Sequence, residues 1–524
     1  MLAEISVCDR IVRLCREHHS RTALEEFPWD AGAGEYHRGR SVTYAQLYEQ
    51  TLRLADALAT RGVHPGDRVA VLLPNSIELV VSEWACLLTG MVWVALNERS
   101  SATEQAAILG DCSPSVVLLA ERHRELAMSM ALPSSCLVVV VSEDGDWPAL
   151  LASGRVVAPP SEPQSEDVVR IRYTSGTAGL PKGAVLARRC YDASVVVVTE
   201  VIGPLQACDV VAQVAPMTHA AGAMWPPHAV VGAKALLLDR FDAAAFVRLA
   251  ERENVTSVFL VPTMLLRFLE AVAASEKALT GLRSIVYGGA SMPADRLERG
   301  LELLGPVFVQ IYGLTESNWP VTALRREDHT LEGSTEQRRQ RLASCGRPTS
   351  VGELRIVRAD GRDAAPGVAG EILVRGRNTM LGYWGKGHSL DAKGLDEEGW
   401  MHTGDVAVCD EDGFVTVVDR LHDMIVSGGF NVYPREVEDA LSSHPAVLES
   451  AVVGRADVEW GERVHAVVVL RANAKVQEDE LARHVAQRTA PYKKPRSFEF
   501  VAELPKNAAG KVLRRALKTT TPPA

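Results

Sequence analysis

The sequence lacks paired cysteines, and it lacks an excess of basic charge. Its nine cysteines are scattered from Cys8 to Cys409, an odd number with no Cys-x-x-Cys pair. This pattern indicates neither a disulfide framework nor a zinc site and is typical of a reducing compartment. A formal net charge of -10 argues against a general nucleic-acid-binding protein, because such proteins carry a basic excess. We therefore expect the protein to meet phosphates on small molecules.

A signal peptide and a membrane span are not predicted either. The first ten residues carry charges where a signal peptide needs its apolar segment. Residues 210–233 lack acidic side chains, lysine and arginine, but they contain Gln213, Thr218, two histidines and three prolines. So many polar groups and prolines favour a buried core segment bordering a pocket over a membrane span. The sequence predicts a cytoplasmic protein without an integral membrane segment.

The chain is too long for one hydrophobic core. It has 524 residues, of which 47% are hydrophobic and 23% charged, and this suits a large body with at least one further domain. Apolar, β-branched runs at 137–141, 257–261 and 282–287 are typical of strands that helices cover on both faces. Helical patterns at 44–60 and 76–88 alternate with strand patterns. We predict an α/β fold of doubly wound subdomains.

The pattern changes in the C-terminal third of the chain. Past Gly346, short strands alternate with Gly and Asp turns, which predicts a β-rich subdomain. A mixed pattern of helices and strands begins after Asp419. We predict a large N-terminal domain over 1–419, a hinge at 420–422, and a small, mobile α+β C-terminal domain over 423–524.

The strongest functional signal is the segment 173–183, Tyr-Thr-Ser-Gly-Thr-Ala-Gly-Leu-Pro-Lys-Gly. It contains three glycines, three Ser or Thr hydroxyls and one lysine. Glycines let backbone N–H groups turn toward an anion, so the segment predicts a phosphate-binding loop. Lys182 follows Pro181 and precedes Gly183, which excludes Walker A spacing, and no Gly-x-Gly-x-x-Gly opens a helix here. The alternative is a surface turn that binds nothing.

This loop resembles the signature loop of the adenylate-forming superfamily, which comprises acyl-CoA and aryl-CoA synthetases, adenylation domains of peptide synthetases, and luciferases. Further segments match in the order of that family and span nearly the whole chain. They are 216–222, 287–293, 312–316, 370–375, 400–405, 419–425, 428–438 and 505–511. The chain is most similar to bacterial acyl-CoA or aryl-CoA ligases.

The resemblance implies which residues bind ATP. The residues implied for the phosphates are Thr174, Ser175, Gly176, Thr177, Ala178 and Lys182. The residues implied for the adenine are Gly289, Ala290, Ser291, Tyr312 and Gly313. A tyrosine ring offers the base a flat apolar contact, and small residues let it approach closely. Asp405 would accept hydrogen bonds from the ribose, and Arg420 would reach the same sugar or its phosphate.

The resemblance also implies the catalytic groups. Lys511 corresponds to the adenylation lysine, which bridges the attacking carboxylate and the α-phosphate. Glu316, a hard oxygen donor, would hold Mg²⁺ with Thr315 beside it. Taken singly, Lys511 fits a basic tail, Glu316 a helix-start carboxylate and Asp405 a turn residue. The shared order of all the segments favours the catalytic interpretation.

The acid would bind in a pocket around the histidine at position 219. The residues implied for this pocket are His219, Ala220, Gly222, Trp225, Gly288 and Trp319. We assign no acid–base role to the histidine, because a lone histidine in an apolar stretch is more often a core residue. The small and large apolar neighbours suit an apolar acid better than a charged one.

The thiol step would use a second set of residues. In the family the C-terminal domain rotates about a hinge, removes the lysine loop and brings a glycine segment to the thiol tunnel. Here the hinge position is His422, and the segment is Gly428, Gly429 and Phe430. An exposed linker histidine is the simpler interpretation of His422. The alternative is that its charge, gained below about pH 6.5, biases the two poses.

Together, the motifs predict an ATP- and Mg²⁺-dependent carboxylic acid–CoA ligase that forms an acyl adenylate, releases pyrophosphate and makes a thioester. Alternative acceptors are a carrier protein in trans, an amine, or nitrite in a diazotisation. A catalytically silent nucleotide-binding protein is a third hypothesis, against which the intact Glu316, Asp405 and Lys511 argue. The expected partners are a small carboxylic acid and CoA but no nucleic acid, and a homodimer is left open.

Overall fold

The computed structural model describes residues 6–125, 132–158, 162–174, 181–275, 279–318, 320–385, 390–391, 394–421, 423–427, 430–458, 460–472, 474–506 and 512–518. Backbone contacts group the chain into two compact units. The larger unit is Met1–Leu354 with Val374–Met401, and the smaller is Arg355–Leu373 with His402–Ala524. The grouping of contacts does not test the predicted hinge at 420–422, which stays a prediction.

Fourteen helices are assigned within the described residues. They are α1 (Val7–Glu17), α2 (Tyr44–Ala59), α3 (Ile77–Thr89), α4 (Ala102–Cys112), α5 (Trp147–Ser153), α6 (Arg188–Ile202), α7 (Trp225–Ala229), α8 (Ala243–Arg252), α9 (Pro262–Ala273), α10 (Ala294–Leu304), α11 (Thr335–Ala343), α12 (Pro434–Ser442), α13 (Glu478–Ala486) and α14 (Arg514–Lys518). The local sequence determines where several of these helices begin. Thr43 and Gln46 form a capping box before α2, and the Ser76 hydroxyl caps α3.

The strands are given in chain order. They are β1 (Thr22–Phe27), β2 (Trp29–Asp30), β3 (Glu35–Tyr36), β4 (Ser41–Thr43), β5 (Arg68–Leu72), β6 (Val92–Ala95), β7 (Val116–Ala120), β8 (Leu137–Val141), β9 (Val168–Thr174), β10 (Lys182–Ala187), β11 (Val210–Gln213), β12 (Lys234–Leu238), β13 (Ser257–Leu260), β14 (Ser284–Gly288), β15 (Phe308–Tyr312), β16 (Thr322–Leu324), β17 (Arg347–Pro348), β18 (Gly352–Val357), β19 (Gly370–Gly376), β20 (Gly382–Trp384), β21 (Leu390–Asp391), β22 (Met401–Cys409), β23 (Val415–Arg420), β24 (Ile425–Ser427), β25 (Phe430–Val432), β26 (Val447–Asp457), β27 (Gly461–Leu470) and β28 (Ser497–Phe500). Most of the longer strands are buried and apolar.

Two mixed sheets form the larger unit. The nine-stranded sheet has the order β17-β16-β15-β14-β13-β11-β12-β1-β4, and its inner strands from β15 to β1 are parallel. The eight-stranded sheet has the order β21-β20-β10-β9-β6-β5-β7-β8, and it is parallel from β9 to β8. Parallel sheets need helical crossovers and are buried on both faces, as the apolar runs predicted. The mixed α/β fold with a large N-terminal part is confirmed.

Helix α3 lies against both sheets of the larger unit. It contacts β1 of the nine-stranded sheet and β5 and β6 of the eight-stranded sheet. All residues from 77 to 88 are buried. Its Trp84 stacks on Trp225 with ring centroids 6.1 Å apart, and Trp225 stacks on Tyr44 at 6.3 Å. The helix therefore forms part of the central core of this unit.

The smaller unit is built mainly on a five-stranded sheet. Strands β25-β24-β27-β26 follow in that order, and β28 pairs with β27. Apolar residues of α12 and α13 pack on this sheet, among them Val437, Leu441, Leu481 and Val485. A separate four-stranded sheet has the order β18-β19-β22-β23. The four-stranded sheet agrees with the β-rich pattern predicted beyond Gly346, and the five-stranded sheet with its helices agrees with the mixed pattern predicted after Asp419.

None of the helices within the described residues is long and apolar enough to cross a membrane. The segment 210–233, which lacks acidic residues, lysine and arginine, folds as strand β11, a 3-10 turn and the short helix α7. Most of its residues are buried. It is the core segment that the sequence predicted.

We predict opposite effects for alanine at two glycines of the larger unit. A Cβ at Gly154 would lie 1.9 Å from the Arg53 carbonyl oxygen, whereas a Cβ at Gly110 in α4 meets nothing within 4 Å. Gly154→Ala should lower the free energy of unfolding by about 1–3 kcal/mol through overpacking. Gly110→Ala should leave it unchanged or raise it by about 0.5–1 kcal/mol, because alanine favours a helix. Urea unfolding measures both, and equal effects would contradict the packing of α5 against α2.

Candidate active site

The predicted phosphate loop lies between two paired strands of the eight-stranded sheet. Strand β9 ends at Thr174, β10 begins at Lys182, and these two residues are direct register partners. The pairing closes the loop at its base, so both side chains start from a fixed position in the sheet. The loop residues Ser175, Gly176, Thr177 and Ala178 lie outside the described residues, and their assignment stays a prediction.

Tyr383 connects the loop lysine to the predicted metal ligand. Strand β20 pairs with β10, and its Tyr383 is the register partner of Ala184. The Tyr383 hydroxyl donates a hydrogen bond to Oε1 of Glu316 at 2.9 Å, and Nζ of Lys182 lies 5.4 Å from the ring centroid. Burial raises the pKa of Tyr383, and the Glu316 carboxylate raises it further, so the phenol stays protonated. Sequence reasoning missed this tyrosine, because only the strand register brings it to the site.

The turn that carries Glu316 is fixed by its own hydrogen bonds. It is a 3-10 turn, Thr315–Ser317, that follows strand β15. The Ser317 hydroxyl donates to the Leu314 carbonyl at 3.1 Å and accepts the Leu314 N–H at 3.0 Å. The Glu316 carbonyl accepts the N–H of Met380 at 2.8 Å. The backbone thus sets the direction of the Glu316 side chain before any ligand binds.

The donor set at this turn fits a magnesium ion that is held mainly by phosphates. No group of three or more His, Cys, Asp or Glu side chains gathers anywhere in the described part of the chain. The turn offers one carboxylate, Glu316, with the Thr315 hydroxyl beside it, and Tyr383 engages only Oε1. Mg²⁺ typically takes one or two carboxylates together with water and substrate phosphates. The residues therefore fit Mg²⁺ bound to a nucleotide.

The predicted adenine residues meet at the carboxyl ends of two parallel strands. Strands β14 and β15 are neighbours, with Gly288 opposite Ile311. The exposed residues 289–291 follow β14, and the half-buried Tyr312 ends β15. A Cβ at Gly288 would lie 2.4 Å from the Ile311 carbonyl oxygen, so the strands require glycine here. This edge of a parallel sheet is where α/β proteins bind ligands, and Gly289, Ala290, Ser291, Tyr312 and Gly313 share it.

Asn75 anchors the segment that carries His219. Its Nδ2 lies 3.0–3.1 Å from the carbonyl oxygens of Gln213, Ala215 and Leu238. Its Oδ1 accepts the N–H of Met217 at 2.8 Å. One side chain thus ties the end of β11, the end of β12 and the following loop together. Sequence reasoning missed Asn75, which precedes α3 far from this loop in the chain.

The structure makes His219 a half-buried side chain beside Thr218. Its Nδ1 lies 2.9 Å from the Thr218 hydroxyl. Burial and, to a lesser degree, the positive charge of Arg172 together lower the pKa of His219 to about 4. The imidazole is therefore neutral at physiological pH, in agreement with a binding role and no acid–base role.

The neighbours of His219 divide between a turn and the core. Ala220 and Gly222 lie in the 3-10 turn Ala220–Met224, and a Cβ at Gly222 would lie 2.0 Å from the Met217 carbonyl oxygen. Trp225 is fully buried between the rings of Tyr44 and Trp84. It packs in the core, and its assignment to the acid pocket stays a prediction. Trp319, the remaining pocket candidate, lies outside the described residues.

In the smaller unit, the two predicted ribose residues are direct neighbours. Asp405 of β22 and Arg420 of β23 are register partners, and Arg420 Nε lies 3.1 Å from Asp405 Oδ1. The Thr403 hydroxyl accepts the N–H of Asp405 at 3.1 Å. Asp405 is buried, so its carboxylate is held in place by the strand and by its ion pair.

Most residues assigned to the lysine and thiol steps lie outside the described residues. These are Lys511, His422, Gly428 and Gly429, and their roles stay predictions. An isolated bridge between Lys506 and Val512 closes the base of the lysine loop. Phe430 starts β25, is 53% exposed and stacks on Tyr492 at 4.7 Å.

The fold is of the α/β class, and the larger unit holds the ends of the predicted phosphate loop, the Glu316 turn and the carboxyl edge of a parallel sheet. The chain belongs to the AMP-binding enzyme family: the AMP-binding enzyme domain matches residues 13–384, and the AMP-binding enzyme C-terminal domain matches residues 436–511. The predicted family and the predicted enzyme class, an AMP-forming acid–thiol ligase, are confirmed.

Relatives match nearly the whole chain. A feruloyl-CoA synthase from Amycolatopsis sp is 38% identical over 495 residues, which cover 91% of this chain and 94% of the relative. The fatty acid–[acyl-carrier-protein] ligase ScoC from Streptomyces coeruleorubidus is 34% identical over 490 residues, which cover 92% of this chain and 92% of the relative. The o-succinylbenzoate CoA synthetase from Bacillus subtilis, solved with an acyl-adenylate intermediate, has a TM-score of 0.83, 31% identity and 98% coverage of both chains.

We predict that Asn75→Ala destabilises the larger unit. The change leaves three carbonyl oxygens and one N–H without their partner, which should lower the free energy of unfolding by about 1–3 kcal/mol. Asn75→Asp keeps the acceptor for Met217 but aims a carboxylate at three carbonyls, so it should be no more stable than the alanine variant. Urea unfolding of the three proteins measures this, and wild-type stability in Asn75→Asp would contradict the assigned contacts.

We predict that Tyr383→Phe weakens ATP binding in the presence of Mg²⁺. The ring under Lys182 is kept, while the hydrogen bond to Glu316 is lost, so the dissociation constant should rise about tenfold, or about 1.4 kcal/mol. Tyr383→Leu also removes the cation–π contact and should bind more weakly still. Isothermal titration calorimetry measures the affinities, with Tyr36→Phe as a buried tyrosine control outside the site. Wild-type affinity in Tyr383→Phe would show that the hydroxyl does not support nucleotide binding.

Proposed function

We propose that this protein is an ATP-dependent carboxylic acid–CoA ligase that makes an acyl adenylate, releases pyrophosphate and then forms a thioester. One observation carries the proposal. At the end of the β9–β10 loop, Tyr383 contacts Lys182 with its ring and Glu316 with its hydroxyl. A lysine suited to bind phosphate and a glutamate suited to bind a metal ion are thereby held close to the same tyrosine. Adenylation needs such a pair, because the carboxylate and ATP are both anions and repel each other.

In the first half-reaction, the acid attacks the α-phosphorus of ATP. We assign Lys182, Thr174 and the loop hydroxyls to the β- and γ-phosphates. Glu316, with Thr315, would hold Mg²⁺, which neutralises charge on the phosphate oxygens. Tyr312 and residues 289–291 would bind the adenine at the edge of the parallel sheet.

Three further residues are assigned to the adenylation step. The Asp405 carboxylate is suited to accept hydrogen bonds from ribose hydroxyls, and Arg420 beside it would bind the same sugar or its phosphate. We assign Lys511 to the bridge between the attacking carboxylate and the α-phosphate. A positive group there stabilises charge that develops only in the transition state.

In the second half-reaction, the thiol of CoA would attack the adenylate. We propose that residues 423–524 rotate about a hinge at 420–422, where His422 stands, relative to a domain of residues 1–419. The rotation would withdraw Lys511 and bring Gly428, Gly429 and Phe430 to the thiol.

A carrier protein in trans is the second candidate acceptor. The similarity to a fatty acid–[acyl-carrier-protein] ligase supports it. We place the enzyme in the cytoplasm, since all nine cysteines, each within the described residues, have free thiols.

We predict that pyrophosphate release requires a carboxylic acid and that Lys511→Ala lowers its rate by about 100- to 1000-fold. The variant should form thioester from supplied acyl adenylate at close to the wild-type rate, because the lysine acts only on the first step. Lys518→Ala, which removes an exposed lysine of α14, is the control and should retain both steps.

The assay screens carboxylic acids for pyrophosphate release, with CoA, with an acyl-carrier protein and with neither, and identifies the products by mass spectrometry. Equal loss of both half-reactions in Lys511→Ala would contradict the division of labour. Release of no pyrophosphate with any acid would contradict the proposed function.

A further inference from the structure

Two arginines occupy the same face of β9, and one of them is matched by a carboxylate. Arg170 and Arg172 are two residues apart in an extended strand, so their side chains point to the same side of the sheet. Both are buried, with 6% and 7% exposure. Arg170 forms an ion pair with Glu83 and lies 4.8 and 5.0 Å from the ring centroids of Trp93 and Tyr191. Its charge is neutralised within the protein.

Arg172 lacks an equivalent partner among the described residues. Its Nη1 donates to the neutral amide Oδ1 of Asn318 at 3.3 Å, and its Nε has no hydrogen-bond partner in the described part of the chain. The negative charge of Glu83 raises the pKa of Arg172, but this carboxylate is already bound by Arg170. Burial and, to a lesser degree, the charge of Arg170 together lower the pKa of Arg172 to about 9, yet the guanidinium stays charged at neutral pH. Such a buried charge is strongly unfavourable without an anion.

The surroundings of Arg172 favour a role in binding the acid over a role in binding the phosphates of ATP. Asn318 follows the Thr315–Ser317 turn with a φ of 38°, and its Nδ2 donates to the Cys190 carbonyl at 2.7 Å. These contacts hold its Oδ1 toward Arg172. The charge of Arg172 also lowers the pKa of His219, the residue assigned to the acid pocket. The phosphate loop begins beyond Thr174, two residues or about 7 Å further along the strand.

We propose that Arg172 binds an anionic group of the acid other than its reacting carboxylate, so that the enzyme prefers dicarboxylic acids. The inference rests on the proposed adenylation of a carboxylic acid and narrows its substrate class. A second carboxylate accepts hydrogen bonds from Nε and from a terminal nitrogen of arginine, a paired geometry that guanidinium groups favour. The apolar neighbours of His219 would then contact the chain or ring between the two carboxylates.

The test compares matched acids that differ by one carboxylate, hexanoate with adipate and 4-methylbenzoate with terephthalate. The wild-type enzyme should prefer the dicarboxylate of at least one pair, measured as kcat/KM for pyrophosphate release. Arg172→Met should lower kcat/KM for that dicarboxylate by about 10- to 100-fold and change the monocarboxylate less than about threefold. Arg172→Lys should keep part of the preference, because it retains the charge but loses the paired geometry.

Two controls separate substrate binding from a structural role. Arg172→Met removes an unmatched buried charge and keeps an apolar side chain of similar length, so it should melt at or above the wild-type temperature. Arg68→Met removes another arginine of the same sheet, one that donates to the carbonyls of Cys112 and Ser113. It should leave the ratio of dicarboxylate to monocarboxylate activity unchanged.

Several results would overturn the inference. They are the absence of a dicarboxylate preference in the wild-type enzyme, an equal loss for both acids in Arg172→Met, a large fall in its melting temperature, or a weaker affinity for ATP in calorimetry. Activity on the monocarboxylates in any of these cases would leave the proposed function intact. If no acid releases pyrophosphate, the proposed function and the inference fail together.

Discussion

The hydrogen bond from Tyr383 to Glu316 is the contact on which the proposed nucleotide site depends. A lysine and a glutamate close to one another would normally pair and cancel their charges. Here the ring of Tyr383 faces Lys182 while its hydroxyl holds Glu316, and within the described residues these two charges form no ion pair. In the proposed site, the lysine thus keeps its charge for phosphate, and the glutamate keeps one oxygen for a metal ion. The separation of the two charges is built into the strand pairing of β10 with β20.

Local patterns in the sequence predicted the elements well, because they depend on neighbouring residues. The helix predicted at 44–60 is Tyr44–Ala59, and the helix predicted at 76–88 is Ile77–Thr89. A capping box and a left-handed Gly90 account for the ends that agree. The resemblance implied that residues 289–291 and Tyr312 share the adenine site, and the strands that precede them, β14 and β15, are parallel neighbours.

The supporting residues of the site could not be predicted in the same way. Tyr383 contacts a residue 67 positions away, Arg172 one 146 positions away, and Asn75 one 142 positions away. Which strands become neighbours decides these contacts, and no local pattern encodes it. The unmatched charge of Arg172 became visible only once burial and partners were known, and the inference drawn from it runs against the expectation that the pocket suits an apolar acid better than a charged one.

The burial of helix α3 on both sheets has a consequence for synthesis of the chain. Trp84 finds its stacking partner in Trp225, which leaves the ribosome 141 residues later. At about 5–20 residues per second, that interval lasts roughly 7 to 28 s. During this time an apolar helix has emerged without the second sheet that covers it. Over this interval the nascent chain exposes a hydrophobic segment of the kind that chaperones bind.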